Sequence, residues 1–218
     1  MRRSTLDRLA PLTGIVAIGL IIAGGILSGS TPDANDSTAG IVGFWRLHDT
    51  KEIVAAFLGA LGIAFFLWFF GALRSVLRAS EGEPGRLAAT AFGGFLVFSI
   101  GALALLSFQF AAADVADDSG VAPQAIQALS VLQSDFFFPL TAGLLVGMLA
   151  SAAAVLRFGA FPRWTGYLAL VVGILFVTPL FFIAFPLAGI WVIIVCVLMF
   201  RAAGASGRAA PASPGPGP

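Results

Sequence analysis

The stretch that decides the fold runs from Thr165 to Phe200 and reads TGYLALVVGILFVTPLFFIAFPLAGIWVIIVCVLMF. Its 36 residues include no charged side chain and no histidine. As one helix it would be about 54 Å long, whereas the hydrocarbon core of a bilayer is about 30 Å thick. Pro179 and Pro186 lie near its middle, and proline is best tolerated in the first turn of a helix. The stretch therefore predicts two membrane spans, at about 165–181 and 186–200, joined by a turn that ends at Pro186.

The composition of the whole chain predicts the same environment. Of its 218 residues 59% are hydrophobic and only 11% are charged, whereas soluble domains carry about 25% charged residues. The mean hydropathy is +0.99. Four more apolar stretches are long enough to be spans, at about 10–28, 53–73, 87–110 and 136–156. The sequence therefore predicts an all-α, polytopic transmembrane helical bundle of about six spans.

The basic residues predict the orientation of these spans, because Arg and Lys near span ends concentrate on the cytoplasmic side. With six spans, ten of the twelve basic residues lie on one side, and the segments 31–52 and 114–135 hold eight carboxylates against Arg46 and Lys51. We expect both termini in the cytoplasm. The alternative is a signal peptide cleaved near Ser28-Gly29-Ser30, which would leave five spans.

Local signals divide the chain further. Residues 1–201 form one predicted membrane domain, and the segment 202–218, rich in Ala, Gly, Ser and Pro, is predicted to be a disordered cytoplasmic tail. An amphipathic external helix is predicted at about 123–133. Asp49 and Glu52 have the spacing of a capping box for the second span, and Asp135 is placed to cap the fourth.

Small residues at four-residue spacing predict where the helices approach closely, because lipid supplies no hydrophobic drive between them. The strongest such stripe is Gly143, Gly147 and Ser151, and a weaker one is Ala89 with Gly93. We favour packing inside the bundle for the first stripe over a homodimer interface.

Several kinds of metal and haem site are excluded because the chain has one histidine and one cysteine. His48 is the only histidine and Cys196 the only cysteine, so bis-histidine haem, multi-histidine zinc sites and multi-thiolate metal sites are ruled out. No charged residue lies inside a predicted span, which disfavours ion-coupled transport. The net charge is only +1, so the chain has no overall positive charge that would attract nucleic acid. We therefore expect no cofactor, no metal and no nucleic-acid partner.

One external cluster remains as a speculative binding site, where the ends of the second, third and fourth spans would meet. Each member also has an ordinary interpretation as a cap, an interfacial anchor or a solvated loop residue. Its members are Trp45, His48, Asp49, Glu52, Gln109 and Asp135.

The order of several short motifs is also informative. The chain resembles a family of multi-pass membrane proteins of high-GC Gram-positive bacteria with a domain of unknown function, and the preference for Arg over Lys agrees with such an origin. The resemblance covers nearly the whole chain and implies a fold and a location in the bacterial plasma membrane, but no residue role. It is carried by Ser30-Thr31-Pro32-Asp33, Phe44-Trp45, Leu67-Trp68-Phe69-Phe70-Gly71-Ala72-Leu73-Arg74, Asp135-Phe136-Phe137, Phe161-Pro162-Arg163-Trp164-Thr165-Gly166 and Gly189-Ile190-Trp191.

Three functions are consistent with these features. The first is a non-enzymatic structural, lipid-packing or partner-binding membrane component, whose partners would be membrane lipids, a protein or a second copy of the chain. The second is a permease or channel for a small neutral solute. The third is a lipid-acting enzyme that uses His48 and Asp135 at the external face.

Overall fold

The computed structural model describes residues 9–33 and 35–208, and these ranges contain seven α-helices and no strand. A short 3₁₀ turn, Ala10–Leu12, leads into the first helix. The all-α prediction is confirmed. The helices are α1 (Thr13–Ser28), α2 (Thr38–Glu81), α3 (Arg86–Asp114), α4 (Pro123–Asp135), α5 (Phe138–Phe158), α6 (Arg163–Leu175) and α7 (Phe181–Arg208).

Five helical segments of the described chain are long and apolar enough to cross a membrane, so the protein is a helical membrane protein. They are Ala10–Ser28, Thr38–Glu81, Arg86–Asp114, Pro123–Phe158 and Phe181–Gly204. The remaining apolar helix, α6, has 13 residues and is about 20 Å long, less than the bilayer core. A sixth crossing through α6, and the orientation that depends on it, stay predictions.

The break in the long apolar stretch lies earlier than predicted. Helix α6 ends at Leu175, five residues form the turn, and α7 begins at Phe181. Thr178 closes the turn, because its hydroxyl donates to the Leu175 carbonyl at 2.8 Å and accepts from the Leu180 amide at 3.2 Å. The predicted turn ending at Pro186 was wrong, since Pro186 lies inside α7.

The C-terminal boundary also differs from the prediction. Helix α7 continues to Arg208, so the first residues of the predicted tail are helical. The rest of that tail, 209–218, lies outside the described residues.

Helix α2 is much longer than the apolar run within it. Its 44 residues extend for about 66 Å, so it must project well beyond a bilayer core of about 30 Å. It begins at Thr38, where the Ser37 hydroxyl accepts a hydrogen bond from the Gly40 amide at 3.2 Å. The predicted capping box was wrong, because Asp49 and Glu52 lie inside this helix.

The projecting part of α2 packs against the neighbouring ends of α3 and α4. Ile41 and Trp45 of α2 share a small core with Ala112 of α3 and Ile126 of α4. The Arg46 guanidinium donates to the Ala116 carbonyl at 2.7 Å and closes the edge of this core. Helix α4 is thus the amphipathic helix of the second polar segment, packed across the end of the bundle.

The α3–α5 contact brings two helix backbones together at glycines. A Cβ on Gly143 would stand 2.7 Å from the Gly94 carbonyl, and one on Gly147 would stand 2.6 Å from the Phe95 ring. Ser151 is fully buried and donates to the Gly147 carbonyl at 2.7 Å. The predicted stripe Gly143, Gly147 and Ser151 therefore faces α3 inside the bundle.

Candidate functional site

Glu52 occupies an unusual position for a carboxylate in an apolar bundle. Its side chain is fully buried, and among the described residues no other charged group is. Its Oε2 accepts hydrogen bonds from the Ser28 hydroxyl at 2.6 Å and from the Gln109 amide nitrogen at 2.9 Å. Its Oε1 has no hydrogen-bond partner among the described residues and lies 4.0 Å from the Lys51 ammonium. The carboxylate therefore ties the end of α1 and the end of α3 to α2.

The burial of Glu52 follows from the helical period of α2. Ile41, Trp45, Glu52, Ala55 and Gly59 are all buried, and their spacings of four, seven, three and four residues place them on one face. Its first part, with Ile41 and Trp45, packs against α3 and α4, and its later part, with Ala55 and Gly59, packs against Gly24 of α1 and Leu106 of α3. Glu52 is thus a polar member of a packing stripe, and its hydrogen-bonding partners come from the helices that cover it.

A cavity of about 380 Å³ adjoins this carboxylate. Four polar side chains lie among its lining residues, including Thr31 and both hydrogen-bonding partners of Glu52, and the rest of the lining is mainly apolar. We call it the polar-ended cavity. Its polar lining includes Ser28, Gln109 and Gln133, and its apolar lining includes Ile63, Leu106 and Leu140.

A second cavity of about 450 Å³ lies next to the first. The two share Ile21, Phe98 and Phe185 as lining residues, and both volumes fall in the range of roughly 300–1,000 Å³ typical of small-molecule sites. We call it the apolar cavity, because hydrocarbon side chains and aromatic rings line it. Its other lining residues include Ile18, Phe66, Phe95, Met148, Pro186 and Gly189.

The apolar cavity reaches the outer surface of the bundle. Ile22 of α1 and Ile190 of α7 line it and are exposed by 54% and 50%. Gly25, which lines the polar-ended cavity, is also exposed. A molecule can therefore enter the apolar cavity from the side of the bundle, between α1 and α7. The apolar side chains exposed there would face lipid.

Comparisons of the chain with protein-family models, curated proteins and solved structures find no match. The function is therefore inferred from the residues that line the two cavities.

The other predicted site residues lie outside both cavities. Trp45 is fully buried in the small core, and within the described part of the chain its indole nitrogen has no hydrogen-bond partner. His48 Nδ1 lies 2.9 Å from the Phe44 carbonyl, and its ring rests on the Phe44 ring. Asp49 is partly exposed along α2, and Asp135 is exposed at the end of α4. Of the predicted cluster, the structure brings only Glu52 and Gln109 together.

This placement bears on the alternative functions. His48 and Asp135 line neither cavity, so the geometry offers nothing to an enzyme that would use them together. A permease or channel for a small neutral solute was expected to have a continuous polar cavity between the helices, whereas the apolar cavity is lined by hydrocarbon and aromatic groups. The arrangement suits a molecule with one polar end and a long apolar part.

Two functional residues were missed by sequence reasoning. The sequence indicates Ser28 as an ordinary helix-packing hydroxyl or part of a peptidase site, and it does not single out Gln133. Asp135 does not cap α5, because Phe137 occupies the cap position and no side chain bonds there. The burial of Glu52 could have been predicted from the sequence. It lies seven residues after Trp45 and three before Ala55, so a helix places all three on one face.

Proposed function

We propose that this protein is a non-enzymatic membrane component that binds a lipid in the two neighbouring cavities, which together would form one cleft when the lipid is bound. The acyl chain would occupy the apolar cavity, and the headgroup would lie at the polar side chains of the polar-ended cavity. The single observation that carries the proposal is that a cavity with polar lining residues lies next to an apolar cavity, with Ile21, Phe98 and Phe185 lining both.

Two further features support a lipid over a soluble ligand. The rim of the apolar cavity includes Ile22 and Ile190, which are exposed on the apolar flank of the bundle. An acyl chain can therefore reach the cavity without leaving the hydrocarbon phase. Burial of apolar surface in a preformed cleft stabilises binding, and dispersion contacts with aromatic rings add to it.

The location and family belong to the same proposal. We place the protein in a bacterial plasma membrane, with membrane lipids as its partners. The resemblance to membrane proteins of high-GC Gram-positive bacteria is consistent with that setting and supplies no residue role.

Glycine substitutions test the proposal without disturbing the helices. A Cβ on Gly189 or Gly25 would meet no atom within 4 Å, and each glycine lines one cavity. Gly189→Phe should fill the apolar cavity and Gly25→Phe the polar-ended one. We expect native mass spectrometry of protein released from mild detergent to show phospholipid adducts on the wild type and their loss from both variants.

The matched control is Gly93→Phe. Gly93 also has open space around its Cβ position, but it lines neither cavity. This variant should keep the adducts of the wild type. Equal retention of phospholipid by Gly189→Phe and Gly93→Phe would overturn the proposal.

A further inference from the structure

We propose that the cleft prefers a lipid whose polar end is an uncharged hydroxyl group, as in diacylglycerol. This inference rests on the proposed function, because it names the polar end of the lipid bound there. It follows from two features of the lining: the side chains around both cavities are uncharged, and the polar ones carry hydroxyl or amide groups.

The first step concerns charge. Among the described residues that line the two cavities, none is Asp, Glu, Lys, Arg or His. A phosphate or carboxylate drawn into such a lining loses its hydration and gains no cation, and an unpaired ion out of water is strongly destabilised. The lining therefore disfavours the phosphate that every phospholipid carries.

Two charged residues adjoin the polar-ended cavity, and they are paired with each other. The Lys51 ammonium lies 4.0 Å from the fully buried Glu52 carboxylate, and neither residue lines a cavity. Glu52 Oε2 accepts hydrogen bonds from Ser28 at 2.6 Å and from Gln109 at 2.9 Å. The acid behind these two lining residues would repel a second anion, and the one nearby cation is already paired with that acid.

The second step concerns hydrogen bonding. The Ser28 hydroxyl donates its hydrogen to Glu52, so toward any other group its oxygen can only accept. The Thr31 hydroxyl, in the same lining, can donate or accept. A lipid hydroxyl carries one donor and two acceptor lone pairs, so it matches a lining of this mixed kind. An ester or ether oxygen, which only accepts, cannot donate to Ser28.

A phospholipid can still enter the cleft through its acyl chains, with its phosphate left in water at the mouth. Gly29 is exposed and lines the polar-ended cavity, and the partly exposed Lys51 ammonium lies 3.9 Å from the position of a Cβ on Gly29. These two residues mark the mouth. Protein released from a membrane therefore carries phospholipid, the bulk lipid there, whereas added diacylglycerol should displace it.

The test compares three lipids with identical acyl chains. Diacylglycerol ends in a hydroxyl, its acetyl ester ends in an uncharged group without a donor, and phosphatidate ends in a phosphate. In equimolar mixed micelles, we expect native mass spectrometry to show about tenfold more diacylglycerol than either other lipid on the wild type, since one satisfied hydrogen bond contributes up to about that factor. Diacylglycerol no more abundant than phosphatidate, or no more abundant than its acetyl ester, would overturn the inference.

A matched pair of threonine variants tests the lining itself. Thr31→Val keeps the shape and removes the hydroxyl, so it should lower the ratio of diacylglycerol to its acetyl ester. Thr90→Val is the control, because Thr90 is exposed on α3 and lines neither cavity. The same ratio in both variants would count against the hydroxyl as the recognised group.

A cation introduced into the polar-ended cavity should reverse the preference. A Cβ on Gly25 would meet no atom within 4 Å, so Gly25→Lys adds an ammonium to the lining where there is open space. We expect this variant to retain more phosphatidate than diacylglycerol, a gain that a misfolded protein would not show. Gly93→Lys, outside both cavities, should keep the ratio of the wild type. An unchanged ratio in Gly25→Lys would contradict selection by the charge of the lining.

The outcomes separate this inference from the proposed function. Lipid adducts that depend on Gly189 but contain diacylglycerol and phosphatidate in equal amounts would overturn the preference for a hydroxyl and leave lipid binding intact. Adducts of any lipid that survive Gly189→Phe would overturn lipid binding in the cleft itself.

Discussion

Single glycines set the spacing between α3 and α5. At Gly94, Gly143 and Gly147 a Cβ would collide with backbone or with the Phe95 ring of the facing helix, so the side-chain hydrogen of glycine is the only group that fits. Close backbone approach gives dispersion contacts along the whole interface, which is the main attraction between helices in lipid. This interface supports Phe95 and Phe98, two rings that line the apolar cavity.

Substitution of Gly143 tests this packing. Gly143→Ala should destabilise the protein by about 1–3 kcal/mol, because the new methyl group meets backbone atoms of Gly94 and Phe98 that have no free rotation. Thermal unfolding in detergent measures the loss. Gly93→Ala is the control, since its Cβ would meet no atom within 4 Å and alanine favours a helix. Equal melting temperatures for the two variants would contradict the packing.

At the residue scale the sequence predicted which α5 residues pack, but not their partner. Spacing of four residues identified Gly143, Gly147 and Ser151 correctly as one face of a helix. The same rule pointed to Ala89 and Gly93 on α3, whereas the glycine in contact is Gly94. Spacing defines a face of a helix, and it does not tell which face meets a neighbour.

At the scale of elements, the connection between α2 and α3 is held by a side chain of one helix that caps the next. The Glu81 carboxylate accepts from the amides of Leu87 and Ala88, each at 2.9 Å. These amides belong to the first turn of α3, whose N–H groups lack partners within the helix. A carboxylate there also interacts favourably with the helix dipole.

Removal of this carboxylate should loosen the start of α3. In Glu81→Ala we expect faster hydrogen exchange at Leu87 and Ala88 and a lower melting temperature, because two amides lose their acceptor. Glu83→Ala removes a carboxylate from the same loop that pairs only with Arg78 in an exposed ion pair, and it should change little. Unchanged exchange at Leu87 in Glu81→Ala would show that water caps the helix equally well.

Helix existence could be predicted from hydrophobic runs, whereas helix ends could not. The predicted spans at 87–110 and 136–156 lie inside α3 and almost wholly inside α5. Helix α2 begins fifteen residues before the apolar run at 53–73, because Ile41 and Trp45 pack against α3 and α4 beyond that run. Hydropathy identifies segments that contact lipid. It does not identify a helix end that packs against other helices beyond the apolar run.

At the scale of the whole molecule, the cleft arises from how α7 sits beside the other helices. Trp191 fixes one part of α7, since its indole nitrogen donates to the Thr165 carbonyl of α6 at 3.0 Å. The part near Pro186 and Gly189 carries small or cyclic side chains and leaves the apolar cavity between α7 and α1. The lining of the cleft comes from six helices, so no local sequence pattern predicts it.

The central claim, that a lipid occupies this cleft, is tested most directly by an experimental structure of the protein crystallised from a lipid phase. We predict elongated density in the apolar cavity between Ile22 and Gly189, continuing past Phe98 to a headgroup beside Gln109 and Gln133. Helix α7 packed against α1 with both cavities closed, or cavities that hold only ordered water, would contradict the account.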